Sequence, residues 1–196
     1  PFSSLHALLA ALPSLERSDM CLAVIMALCD GGSLDKALER RVFMGPGGQP
    51  NMVAIYLTLL EVAMALRHLH AQNIAHLDIK PHNVLLKSSG RDMRGFQTKL
   101  GDFGFATLLD KTTPDGTPAA VMGEHAFGTL PYLPPEALSR GAIVTAACDV
   151  YALGIMMWQL YTGKLRDLYP GATPQTLPDM VKRGARPQLP LLCPLQ

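Results

Sequence analysis

The sequence predicts an α+β domain that is mainly helical, with short β-hairpins. Three observations carry this. From Asn51 to about Ala71, apolar residues recur at helical spacing, and Tyr56, Leu59, Leu60, Ala63, Leu66 and Leu69 read as one core-facing stripe. From Thr145 to Leu160 the chain is apolar on nearly every face, as in a helix at a domain centre. Between them, eight polar-rich residues, His76 to Asn83, run into the apolar Val84-Leu85-Leu86. That pattern reads as a rigid loop entering a short strand.

The other elements follow in chain order. Leu5, Leu8, Leu9, Leu12 and Leu15 recur at helical spacing over residues 2–16, interrupted at Pro13. Cys21 to Leu28 is continuously apolar and reads as a buried strand. Asp30-Gly31-Gly32-Ser33-Leu34 turns the chain into a helix that starts near Ser33. Gly45 to Pro50 reads as a flexible link, and Asn51 as the cap of the long helix after it. His68 and His70 near that helix's end read as surface or capping residues, and Asn73-Ile74-Ala75 as a short strand into His76. Lys87 to Gln97 reads as an exposed, solvated hairpin, and Ala106 to Phe127, rich in Thr, Pro and Gly, as a mobile loop. Thr162-Gly163 stops the central helix. Thr173-Pro174 opens a short helix that ends near Arg183-Gly184, and the chain is irregular from Arg186 on.

Bulk composition narrows the class. The 196 residues suffice for one domain with a substantial core. Charged residues make up 17%, below the ~25% typical of soluble domains, so part of the surface is expected to be covered. A net charge of +1 points to neither nucleic acid nor an acidic membrane as a partner. The run Val150 to Tyr161 is shorter than the ~20 residues that span a bilayer. Cys21, Cys29, Cys148 and Cys193 form no C-x-x-C pair and read as thiols of an intracellular protein, with a cytoplasmic location expected. Position 1 is Pro, and the expectation is a chain that begins inside a longer protein.

The loop at 76–83 carries the chemistry. Asp78, Lys80 and Asn83 lie two and three positions apart, so all three can face one cleft. A carboxylate accepts a proton, an ammonium meets a phosphate, and an amide oxygen holds a hard cation. His76-Leu77-Asp78-Ile79-Lys80-Pro81-His82-Asn83 resembles the catalytic loop of eukaryotic protein kinases, H-R-D-x-x-x-x-N, with Leu77 where that family usually has Arg. Asp102-Phe103-Gly104 resembles the family's D-F-G, Phe127-Gly128-Thr129 the segment after it, and Pro134-Pro135-Glu136 its A-P-E. Asp149 to Gly154 resembles the start of its buried helix. These patterns in the family's order are far more specific than any one alone.

The resemblance implies a protein-kinase-like fold in which residues 1–196 form a partial domain, mostly the helical C-terminal lobe, with the small lobe largely absent. It places the hinge at about 21–34, the catalytic loop at 76–83, the activation segment at 102–136 and a helical core to about 190. ATP and Mg2+ are the implied cofactors, and a protein Ser/Thr hydroxyl the implied acceptor. Asp78 would orient that hydroxyl and accept its proton, Lys80 would neutralise phosphoryl charge, and Thr129 would line the pocket beside them. Asn83 and Asp102 would hold magnesium. Met26, Ala27, Cys29 and Leu85 would surround the adenine. His76 and Phe103 are implied to be packing residues, and Asp149 a group that fixes the catalytic loop through its backbone N–H groups.

Lys80 two residues after Asp78 resembles the Ser/Thr type, and Gly184-Ala185-Arg186-Pro187 resembles the tyrosine-kinase-like group. No G-x-G-x-x-G precedes the hinge region and no strand Lys of the V-A-I-K kind is present, so the chain alone is expected not to transfer phosphate. The alternative is a pseudokinase or interaction module that keeps the fold without transfer. A small-molecule phosphotransferase is disfavoured by Gly128-Thr129 and Pro135-Glu136.

Overall fold

The computed structural model describes residues 24, 26–123 and 127–190. The expected helix over 2–16 lies outside them, as do most of the residues assigned to a strand at 21–28. The described part of that stretch corrects the expectation. Val24 and residues 26–29 form no strand, and Val24, Met26 and Leu28 are exposed. A strand needs a ladder partner, and among the described residues pairing begins only where the Gly31 N–H donates to Leu86 O.

β1 (Gly32–Ser33) leads directly into α1 (Leu34–Glu39), whose Leu34 and Leu38 are fully buried. α2 spans Met52–His70, and the Asn51 side chain accepts from the Ala54 N–H at 3.1 Å, satisfying a first-turn amide. The buried face of α2 is Ile55, Thr58, Leu59, Val62 and Leu66. Tyr56 and Leu60, expected on the core stripe, are instead 51% and 56% exposed. The helix is apolar on both faces, so periodicity alone cannot choose between them. Packing against β4 (Phe96–Leu100) and α3 (Ala147–Thr162) makes the choice. By length and composition α2 could cross a bilayer. Here one face lies in the core and Glu61 is ion-paired, as in the central helix of a globular domain.

Among the described residues three small antiparallel sheets frame the helices. β1, β3 (Val84–Ser88) and β4 form the first, in register from Val84↔Leu100 to Ser88↔Phe96. β2 (Ile74–Ala75) pairs with β5 (Thr107–Leu108). β6 (Lys111–Thr112), β7 (Pro118–Val121) and β8 (Ile143–Thr145) form the third. The stretch expected to be a mobile loop therefore carries three short paired strands. Its β6–β7 hairpin turns at Gly116, and the partner that orders it, β8, lies more than twenty residues downstream. Residues 124–126 of that stretch lie outside the described set.

The 88–95 hairpin also departs from a solvated turn. The Arg94 side chain is only 3% exposed and donates to Glu61 and Asp92, at 2.7 Å each, and to Thr58 at 2.9 Å. Glu61 also accepts from the Thr98 N–H and hydroxyl. A hairpin rich in charge is thereby tied to α2, a tertiary pairing that local sequence does not reveal. α3 ends at Gly163 in the left-handed conformation. The last helix among the described residues, α4, is Leu177–Lys182. It starts later than expected because Thr173 and Thr176 bond each other reciprocally and form a turn of their own.

Candidate active site

The loop at 76–83 is held by a carboxylate from a distant helix. Asp149, fully buried near the start of α3, accepts the His76 N–H at Oδ2 and the Leu77 N–H at Oδ1, both at 2.8 Å. This is the bonding the family resemblance implies for Asp149. A second contact was not legible in the sequence: His70 Nε2 at the end of α2 lies 2.8 Å from Asp149 Oδ2. By its local sequence His70 reads as a surface or capping residue, and no local pattern links it to a residue 79 positions away.

Leu77 sits at φ 61°, a left-handed conformation unusual for a branched side chain. Two observations account for it. Its N–H is fixed by Asp149, and its side chain is buried in an apolar cluster with Leu109, Phe127, Leu133 and Val144. Gly128 is needed opposite. It has φ 65°, and a Cβ there would lie 2.7 Å from Leu77 O. The segment that carries Phe127 and Gly128 and the loop at 76–83 thus meet through apolar contact and close backbone approach.

His76 is fully buried. Its Nδ1 accepts from the Asp78 N–H at 3.3 Å, its Nε2 faces Gly101 O at 3.1 Å, and its ring packs 5.1 Å from that of Phe103. This pattern assigns the proton to Nε2. Two segments of the sequence, 76–78 and 101–103, are thereby locked side by side.

Three side chains converge on Asp78. Lys80 Nζ donates to Asp78 Oδ2 at 2.7 Å and to Thr129 Oγ1 at 2.8 Å. The Thr129 hydroxyl donates to Asp78 Oδ1 at 2.7 Å. Asn83 Nδ2 donates to Asp78 Oδ2 and to the Asp78 carbonyl, both at 2.8 Å. Burial pushes the Asp78 pKa up, but the bonds from Lys80, Thr129 and Asn83 together outweigh it and hold the carboxyl below its ordinary value. Asp78 is therefore an ionised, oriented carboxylate. A cavity of about 360 Å3 opens beside it, lined by Lys80, His82, Asn83, Thr129 and Tyr132.

Asp102 stands apart from that set. It is exposed, at φ 57°, with Oδ1 accepting from the Gly104 N–H at 3.2 Å. Asn83 spends its Nδ2 on Asp78, so Oδ1 is the atom left for a cation, and its carbonyl accepts from the Gly101 N–H. Asn83 and Asp102 thus frame the Gly101 junction from two strand ends. Among the described residues no three His, Cys, Asp or Glu cluster as a protein-only metal cage. A hard cation here would need oxygen donors from its ligand as well, which matches an amide oxygen and a carboxylate flanking a phosphate site.

Leu85 alternates with the buried Val84 and Leu86, so it points to the opposite face of β3. Met26 and Ala27 are exposed and Cys29 is partly buried, with its thiol 4.0 Å from Ala27 O. The structure brings Asp78, Lys80, Asn83 and Thr129 into direct contact. Among the described residues Asp102, Leu85 and the 26–29 segment make no hydrogen bond or ion pair to the side chains of that group.

The family model for the protein kinase domain matches residues 4–177. The chain is 36% identical over 143 residues to the serine/threonine-protein kinase PkaA of Streptomyces coelicolor, covering 73% of this chain and 23% of that protein. It is 30% identical over 160 residues to the serine/threonine-protein kinase PrkC of Bacillus subtilis, covering 82% and 22%. It is 32% identical over 140 residues to the serine/threonine-protein kinase dkf-1 of Caenorhabditis elegans, covering 71% and 17%. The chain spans less than a quarter of the length of each of these curated relatives.

Proposed function

The chain belongs to the protein kinase domain family, and from that premise we propose that this protein transfers the γ-phosphoryl group of ATP to a Ser or Thr hydroxyl of a protein substrate. One observation carries the reading: the closed set of bonds that joins Asp78, Lys80, Asn83 and Thr129. A pocket floor that presents an ionised carboxylate beside an ammonium is built to orient a hydroxyl and to meet a negatively charged group on its far side.

The depressed pKa of Asp78 bears on how it would act. So weak a base does not deprotonate a resting alcohol. It would hold the hydroxyl by a hydrogen bond and take its proton late, as the phosphorus–oxygen bond forms. Thr129 would fix one carboxylate oxygen and leave the carboxylate correctly turned. Lys80 would offset charge on the phosphoryl oxygens. Asn83 Oδ1 and the Asp102 carboxylate would hold Mg2+, which when bound supplies charge neutralisation along the phosphates. Met26, Ala27, Cys29 and Leu85 would contact the adenine. ATP is an intracellular substrate, so the reaction belongs inside the cell.

The test is Asp78→Asn in the full-length protein, assayed with ATP and a generic Ser/Thr peptide. Transfer should fall by ~10^3 while nucleotide affinity changes little, because Asp78 faces the hydroxyl and not the nucleotide. Unchanged turnover would remove Asp78 from its role.

A further inference from the structure

The two ends of the proposed nucleotide site come from different parts of the chain. Asn83 and Asp102 would hold the metal at one end, and residues 26–29 would contact the adenine at the other. Among the described residues, 26–29 make no hydrogen bond to another element, and the first ties come at the next two positions. Asp30 Oδ1 accepts the Ser88 N–H at 2.8 Å, and the Gly31 N–H donates to Leu86 O at 2.9 Å. Both partners lie on β3.

β3 is also the strand that carries the rest of the site. Asn83 directly precedes it, and the Asn83 carbonyl accepts from the Gly101 N–H, next to Asp102. Leu85 lies over that junction, for a Cβ on Gly101 would come within 3.2 Å of Leu85 Cδ1. Ser88, where Asp30 holds on, is the last residue of the same strand. The chain lies flush against β3 here only because residue 31 is glycine. A Cβ on Gly31 would stand 2.9 Å from both Leu86 Cβ and Leu86 O. Asp30 has no cationic partner within ion-pair distance among the described residues. Bonds from the Ser88 N–H, then from the Ser88 hydroxyl, hold its carboxyl below the ordinary value. The side chain is thus directed at one strand end.

We infer, resting on the proposed ATP site, that Asp30 is a positioning residue for the nucleotide: its bond to Ser88 fixes the adenine-contacting segment relative to the strand that bears Asn83 and Leu85. Without that bond, residues 26–29 would stay joined to β3 through Gly31 and β1 alone. The adenine and the phosphates would then meet two halves whose spacing is no longer set in advance, and nucleotide affinity would fall. Asp78, Lys80 and Thr129 are held by bonds of their own, so the transfer step itself would be spared.

The test compares the full-length wild type with Asp30→Ala, Asp30→Asn and Ser88→Ala. Titration calorimetry with MgADP reads binding without turnover. Asp30→Ala should bind MgADP about tenfold more weakly, the scale of one charge-assisted hydrogen bond. KM for ATP should rise by a similar factor, with kcat at saturating ATP and KM for the peptide within about twofold of wild type. Asp30→Asn should recover most of the affinity, because its amide oxygen still accepts the Ser88 N–H, and Ser88→Ala should stay close to wild type because that N–H remains. In the nucleotide-free protein, exchange of the Ser88 amide should quicken about tenfold in Asp30→Ala, while Ile55 to Leu66 of α2 keep their protection. Unchanged MgADP affinity in Asp30→Ala, a loss confined to kcat, or an Asn variant no better than Ala would overturn the inference. So would a general loss of protection in α2, which would make Asp30 a residue of the fold. A wild type that binds no MgADP would overturn the ATP site itself, and the inference with it, whereas wild-type binding matched by Asp30→Ala removes the inference alone.

Discussion

His70 Nε2 lies 2.8 Å from Asp149 Oδ2, joining the last turn of α2 to the first turn of α3, beside the loop at 76–83. The same oxygen accepts the His76 N–H, so one buried carboxylate ties two helices to the loop that carries Asp78.

The first prediction follows from that arrangement. In Asp149→Asn one loop N–H faces a donor instead of an acceptor, and a buried donor is left unmet at a cost of about 1–3 kcal/mol. The full-length variant should lose kcat by ~10^2 with the KM for ATP nearly unchanged, because the displaced loop carries Asp78. His70→Ala should show the same split at smaller amplitude. Steady-state kinetics checks both, and a change confined to KM would count against a positioning role.

Asp78 gives a pH prediction. Its folded pKa is depressed below the ordinary 3.8, so it stabilises the fold fully above that value and loses this contribution as pH falls through the folded value. Melting temperature should therefore fall more steeply with acid, below about pH 4, in the wild type than in Asp78→Asn. Thermal melts across the acid range measure the difference. Above that range Asp78 contributes no titration, so an acid limb in the rate profile near neutrality must come from another group.

The activation segment yields a third expectation. Leu77 carries no charge that a phosphate could pair with, and it sits in an apolar cluster with Leu109, Phe127 and Leu133. The β6–β7–β8 sheet already orders the segment. Replacing Thr112, Thr113 and Thr117 with Ala should therefore leave transfer within about threefold of wild type. Thr113 and Thr117 bond within the hairpin turn with Asp115, so a small loss of local order is expected there. A large loss of activity, restored by phosphorylating the wild-type segment, would show that a basic residue elsewhere replaces the missing Arg.

Arg94 carries the fourth. Arg94→Ala leaves Glu61 and Asp92 without their cation and removes the tie between the hairpin and α2. The cost should be about 2–3 kcal/mol, a fall of roughly 5–10 °C in Tm for a domain of this size. Burial of the guanidinium is nearly complete while both acids keep some exposure, which places the cost above that of a surface pair and below that of a fully buried one. Differential scanning calorimetry checks it. Arg94→Lys should recover little, since one ammonium cannot bridge Thr58, Asp92 and Glu61 together.

The sequence by itself determined the local chemistry. The spacing of Asp78, Lys80 and Asn83, the Asn51 cap, the Gly163 stop and the alternation of Val84, Leu85 and Leu86 are set by neighbours within a few positions. So is the order of the motifs that marks the family. Tertiary structure decided what depends on partners distant in the chain. It chose which face of α2 is buried, exposing Tyr56 and Leu60, because both faces are apolar and only packing breaks the tie. It set three short strands into the loop expected over 106–127, because β7 finds its partner β8 only after the chain has folded back. It brought His70 to Asp149, Thr129 to Asp78 and Arg94 to Glu61, each a hydrogen bond more than thirty residues long in sequence. A bond of that kind is made by the fold and has no local signature to read.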